Sequence, residues 1–136
     1  MDYLSLNDSF WLPIYKRNGI EPNIFKGSVL YLGMGSCLFP RLQQNVSKTT
    51  IVEIDKKVID WNKEKGHLKE DWNIINEDAF IFETDEKFDI IFIDIFYQTT
   101  TNKIMNILIN KYSNALTSQG ILLKLNSVIK NNINSK

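Results

Sequence analysis

Residues 88–96 read FDIIFIDIF, in which every position other than two aspartates is Phe or Ile. Nine residues make a short element, and the near-continuous apolarity from Asp89 to Phe96 suits a strand covered on both faces, as in a parallel sheet. Four more runs share this character: SVLYL (28–32), TIVEI (50–54), WNIIN (72–76) and GILLKL (120–125). Helical patterns separate them. Cys37 to about Gln44 carries Pro40 near its start, and Lys56 to Lys65 spaces Val58, Ile59 and Trp61 for a helix that stops at Gly66. There is room for a short helical turn at Ala79 to Glu83. Thr101 to Leu116 places Ile104, Ile107, Leu108 and Leu116 on one face, with Gly120 in the loop beyond. Strands alternating with helices imply right-handed parallel crossovers, hence an α/β fold with a doubly wound, mainly parallel, Rossmann-like sheet of about five strands.

The chain of 136 residues makes one domain, 1–136, with an N-terminal helix or lid over 1–25 and a polar tail over 126–136. Within 1–25, Asp8 to Arg17 reads as a helix containing Pro13, whose Phe10, Trp11 and Tyr15 are expected to pack on the sheet; a lid over a ligand is the alternative. Sixteen basic residues balance sixteen acidic ones, so no net positive field gathers nucleic acid or anionic lipid. One cysteine, Cys37, and one histidine, His67, exclude an intramolecular disulfide and any thiolate or imidazole metal cluster from one chain. No apolar run approaches the roughly 20 residues of a membrane span and no basic signal segment opens the chain, so a cytoplasmic setting is expected.

In doubly wound sheets ligands sit beyond the carboxyl ends of the strands, where strand order reverses. VLYLGMGSC (29–37) sets Gly33 and Gly35 there, and missing Cβ atoms let backbone N–H groups approach a nucleotide or nucleoside. The third glycine of a dinucleotide fingerprint falls near Leu38, which disfavours NAD. Glu53, at the end of the second strand, is placed to accept both hydroxyls of a ribose, whereas Asp55 reads as the start of the next helix. Asp78 either receives the exocyclic amine of an adenine or caps the turn at Ala79. Asp94 is a carboxylate within an otherwise apolar run, costly unless paired or set at a wet cleft, so a site role is favoured. Cys37 reads as a space-filler, His67 as a surface residue and the lysines of KKVIDWNKEK (56–65) as a solvated face.

The order VLYLGMGSC, IVEIDKKVID, INEDAFIF, FDIIFIDIF and GILLKLNS resembles the catalytic domain of spermidine synthases (polyamine aminopropyltransferases), within the class I fold of S-adenosylmethionine-dependent methyltransferases; the likeness spans about residues 25–127. It implies S-adenosylmethionine or its decarboxylated form as donor, with Gly33 and Gly35 along the sulfonium nucleoside, Glu53 on its ribose and Asp78 at its adenine. Asp94 matches the first acid of the family's DxxD segment, which acts on the attacking amine, and Tyr97 stands at the second acid. Ser36 stands where the family's GGGDGG turn has its acid, the N-terminal β-domain is missing, and nothing clearly supplies the last two strands. The implied activity is transfer of an aminopropyl or methyl group to a small amine. Two alternatives are breakdown of S-adenosylmethionine without an external acceptor, and a non-catalytic nucleoside-binding or interaction domain. An uncovered fifth strand would make a homo-oligomer through the shortened sheet edge plausible.

Overall fold

The computed structural model describes residues 8–95, 102–124 and 127–130, the last four as backbone. Six strands, β1 (Gly27–Leu32), β2 (Val46–Val52), β3 (Asn73–Ile75), β4 (Phe88–Ile93), β5 (Leu116–Lys124) and β6 (Ser127–Lys130), form one sheet in the order β3-β2-β1-β4-β5-β6. The first five are parallel, and β6 returns antiparallel to β5. Among the described residues four α-helices accompany them: α1 (Asp8–Arg17), α2 (Leu38–Leu42), α3 (Lys56–Glu64) and α4 (Asn102–Ser113). No described helix is long and apolar enough to cross a membrane.

The two faces of the sheet explain why its strands read as unbroken apolar runs. Val29, Tyr31, Ile90 and Phe92 point to one face, where Tyr15 of α1, Phe39 of α2 and Val58 of α3 cover them. Leu30, Leu32, Ile91 and Ile93 point to the other, under Leu108 and Tyr112 of α4 and under Ala79 and Phe82. Val29 to Leu32 and Ile90 to Ile93 are therefore buried on both faces, and period-2 alternation disappears. Burial of these side chains, each worth about 1.5–3 kcal/mol, fixes the register of the central pair.

Several elements depart from expectation. The helix after residue 101 ends at Ser113 rather than Leu116, because the Phe88 N–H donates to the Ala115 carbonyl at 2.7 Å and Leu116 pairs with Phe88 as the first residue of β5. The short helical turn expected at Ala79 to Glu83 is present, with the Ile81 and Phe82 N–H groups donating to the Asp78 carbonyl. Part of the expected polar tail is β6, so β5 is not the sheet's edge and the argument for a second copy covering it falls away. Phe10 stands 49% exposed instead of packing on the sheet.

Candidate functional site

Strand order reverses between β1 and β4, and there the chain leaves the sheet as the turn Gly33–Ser36 and as Asp94. The Asp94 N–H donates to the Leu32 carbonyl and the Gly33 N–H to the Val52 carbonyl, both at 2.8 Å, so the two exits are locked side by side. A cavity of about 330 Å³ opens between this turn, the ends of β2, β3 and β4, and α1.

The two glycines have different reasons to be glycine. Gly33 has φ +95°, and a Cβ there would lie 2.4 Å from the Asp94 carbonyl oxygen, so the fold itself demands it. Gly35 has φ +51° with no atom within 4 Å of a Cβ position, so its missing side chain leaves open space at the cavity.

Glu53 follows β2 directly and is 9% exposed. Its Oε1 accepts the Met34 N–H at 2.8 Å and its Oε2 accepts the Asp55 N–H at 3.0 Å. Two backbone donors thus fix the carboxylate between the glycine turn and the start of α3. A carboxylate offers about four acceptor positions, so capacity for two ligand hydroxyls remains. Asp55 caps α3 through the Lys57 N–H at 2.9 Å, the structural role read for it.

Asp94 lies one residue past β4 and lines the cavity. Burial raises its carboxyl to about 6; the Tyr15 hydrogen bond opposes the rise and the charge of Glu53 adds to it. The Tyr15 hydroxyl reaches from α1 and donates to Asp94 Oδ1 at 2.5 Å. Its ring packs edge-on against Phe39 and Phe92, with centroids 5.0 and 5.9 Å away, which holds the hydroxyl in place. Burial and the Asp94 charge push the Tyr15 phenol far above its usual range, so it stays a donor. Tyr15 is therefore both core and cavity wall, as is Trp11 one turn earlier.

Asp78 is set back from the cavity: its Oδ1 accepts the Phe80 N–H at 2.9 Å, and its neighbours Glu77 and Ala79 do the lining. Ser36 lines the cavity from the turn. Tyr97 falls outside the described residues. Cys37 is fully buried ahead of α2, and burial raises its thiol to about 12, consistent with packing rather than reactivity. His67 is half-buried, not a surface residue, with Nδ1 2.8 Å from Asn62 Oδ1.

Among the described lining residues three are acids, Glu53, Glu77 and Asp94, and none is Lys, Arg or His. Such a wall repels phosphates and favours hydroxyls and positive charge. Tyr15, read from the sequence as packing on the sheet with a lid as the alternative, lines the cavity as well; Glu77 is the lining acid the sequence reading missed. Glu77 could have been found, since it stands beside Asp78 just beyond the third strand, at the edge of the sheet where Glu53 and Asp94 also leave their strands.

No protein-family model and no curated protein matches the sequence. Solved structures do. The N-methyltransferase NodS from Bradyrhizobium japonicum, in complex with S-adenosyl-L-homocysteine, superposes with a TM-score of 0.67 at 17% identity, over 90% of this chain and 68% of that one. The DhpI complex with SAM and HEP gives 0.68 at 17% identity, over 90% and 57%. Coclaurine N-methyltransferase bound to N-methylheliamine and S-adenosyl-L-homocysteine gives 0.59 at 21% identity, over 86% and 34%. The chain thus spans between about a third and two thirds of the length of these structures. The shared feature is the Rossmann-like fold of class I S-adenosylmethionine-dependent methyltransferases; a spermidine synthase-like subtype is not among what they show.

Proposed function

We propose that this chain binds S-adenosylmethionine and transfers its methyl group to a small amine. The observation carrying the reading is the cavity at the β1/β4 switch point, walled by three acids and no cation, beside a glycine turn. This donor set fits an adenosyl sulfonium and does not fit a pyrophosphate. Glu53 would hold the ribose hydroxyls, Gly33 to Ser36 would lie along the nucleoside, and Glu77, rather than the set-back Asp78, would meet the adenine.

S-adenosylmethionine, when bound, supplies a methyl carbon made electron-poor by the adjoining sulfonium. Asp94 would receive an acceptor amine as its ammonium form, accept one proton from it, and leave the nitrogen lone pair to form the new N–C bond while the C–S electron pair stays on sulfur. With its carboxyl raised to about 6, Asp94 is ionised at neutral pH yet basic enough to take the proton. Tyr15 holds Asp94 Oδ1 and leaves Oδ2 for the amine. Trp11 and Leu38, on the same cavity, would exclude water around the reacting atoms. Decarboxylated S-adenosylmethionine carries the same adenosyl sulfonium, so aminopropyl transfer is the neighbouring reading. The methyltransferase structures that share the fold support methyl over aminopropyl transfer.

The test is calorimetric titration with S-adenosylmethionine and S-adenosylhomocysteine, followed by incubation of the donor with a panel of amines and mass analysis. Binding lost in Glu53→Ala and a mass gain of one methyl on an amine are expected. Absence of binding to either ligand at millimolar concentration would end the proposal.

A further inference from the structure

Asn62 sits in the last turn of α3, in a stretch whose lysines and acids face water, yet its side chain is fully buried. Helix stability does not explain it, because Asn is a poor interior helix residue and a buried amide is costly unless satisfied. The amide is satisfied in one particular way. Nδ2 donates to the Gly35 carbonyl at 2.7 Å and to the Val58 carbonyl at 2.9 Å, and Oδ1 lies 2.8 Å from His67 Nδ1. Both amide hydrogens are on carbonyls, so Oδ1 must be the acceptor and His67 Nδ1 the donor. A flipped amide would turn its oxygen against two carbonyl oxygens, so His67 selects the orientation that grips Gly35.

That grip acts on the ligand side of the turn. A peptide is planar and trans, so the Gly35 carbonyl and the Ser36 N–H point in opposite directions. Asn62 does not line the cavity, whereas Gly35 and Ser36 do. Drawing the carbonyl back toward α3 turns the Ser36 N–H away from α3. Other polar groups of the turn are also tied: Arg41 Nε donates to the Ser36 carbonyl at 3.1 Å, the Met34 N–H goes to Glu53, and the Cys37 N–H donates to the Met34 carbonyl at 2.8 Å. Gly35 contributes no side chain that could hold it, and Asn62 supplies that restraint from outside.

We propose that Asn62, oriented by His67, is a positioning residue for the adenosyl ligand: it fixes the glycine turn so that the Ser36 N–H is presented before the ligand arrives. The inference rests on the S-adenosyl reading above. The probe is S-adenosylhomocysteine, titrated calorimetrically into the full chain, wild type and variants. His67→Phe keeps the edge-on ring contact with Trp61 (centroids 5.6 Å apart) and removes the Nδ1 donor. Asn62→Leu removes all three bonds. At least a tenfold loss of affinity in Asn62→Leu and a threefold loss in His67→Phe are expected, each in protein that still melts cooperatively. A purely structural role would lower the melting temperature and leave the dissociation constant unchanged, and that result in His67→Phe would overturn the proposal even if Asn62→Leu fails to fold. If the wild type binds no S-adenosyl ligand, the functional reading fails, and the restraint is then read without ligand. Shifted and broadened Gly35 and Ser36 amide resonances in His67→Phe would uphold it, and unchanged resonances would refute it.

Discussion

Replacing Asp94 by asparagine should make the protein more stable near neutral pH while removing its candidate base. Burial raises this carboxyl from 3.8 to about 6, so the unfolded chain sheds the proton more readily than the native one. The sign follows: the native state carries no penalty below 3.8, accumulates it as pH rises, and carries it in full above about 6. A shift of about two units at roughly 1.36 kcal/mol each sets the penalty at about 3 kcal/mol. Asp94 keeps partial contact with solvent at the cavity mouth, so this is an upper bound. Asparagine keeps an oxygen for the Tyr15 hydroxyl and carries no charge to desolvate. For a domain of this size the gain corresponds to roughly 6–10 °C in melting temperature. Thermal melts of both proteins from pH 3 to pH 7.5 should therefore diverge, close together at the acid end and separated at the neutral end. A variant less stable at pH 7.5, or a gain that does not change with pH, would show that Asp94 is not held as an uncompensated buried acid.

Tyr15→Phe removes the hydroxyl that favours the ionised carboxylate while keeping the ring against Phe39 and Phe92, so the Asp94 midpoint should rise above about 6 in a carbon-detected carboxyl titration; a midpoint at or below it would refute the role of this hydrogen bond. Gly33→Ala sets a Cβ against the Asp94 carbonyl at φ +95° and should cost roughly 3 kcal/mol or more, whereas Gly35→Ala enters open space and should cost about 1 kcal/mol. Denaturant melts check the pair, and equal losses would contradict the distinction between a glycine required by the fold and one facing the cavity.

What the sequence revealed depended on how local each signal is. Glu53 and Asp94 stand out because acids within apolar runs are costly wherever they fall, and both prove to lie one residue beyond a strand end, at the cavity. Asp89, in the same run as Asp94, reads no differently, yet it belongs to the opposite end of the sheet, where its carboxylate accepts the Ser28 N–H and the Thr117 hydroxyl. The order of strand exits, and not composition, separates the two. Tyr15 is 79 residues from Asp94 in the chain, and its helical spacing reports only that one face of α1 is buried. Asn62 is hidden by its neighbours, since an asparagine among lysines and glutamates looks solvated. The short strand β6 has no period to detect and is specified by its pairing with β5.

The crowding of acids at one rim favours a positively charged ligand there. Glu53 raises the Asp94 carboxyl, and neither acid has a cation among the described residues lining the cavity. The fold tolerates this through backbone donors on Glu53 and a phenol on Asp94, which restrain the carboxylates without neutralising them. In the proposed reaction a sulfonium and an ammonium would both be drawn to this rim, and their charges would stabilise the ionised Asp94 that burial penalises. Methyl transfer would leave a neutral thioether and place a proton on Asp94, whose raised pKa makes it a fitting recipient. The sulfonium charge would then be gone, and the methylammonium left by the reaction would face a neutral Asp94, so the hold on both products would weaken and their release would be favoured.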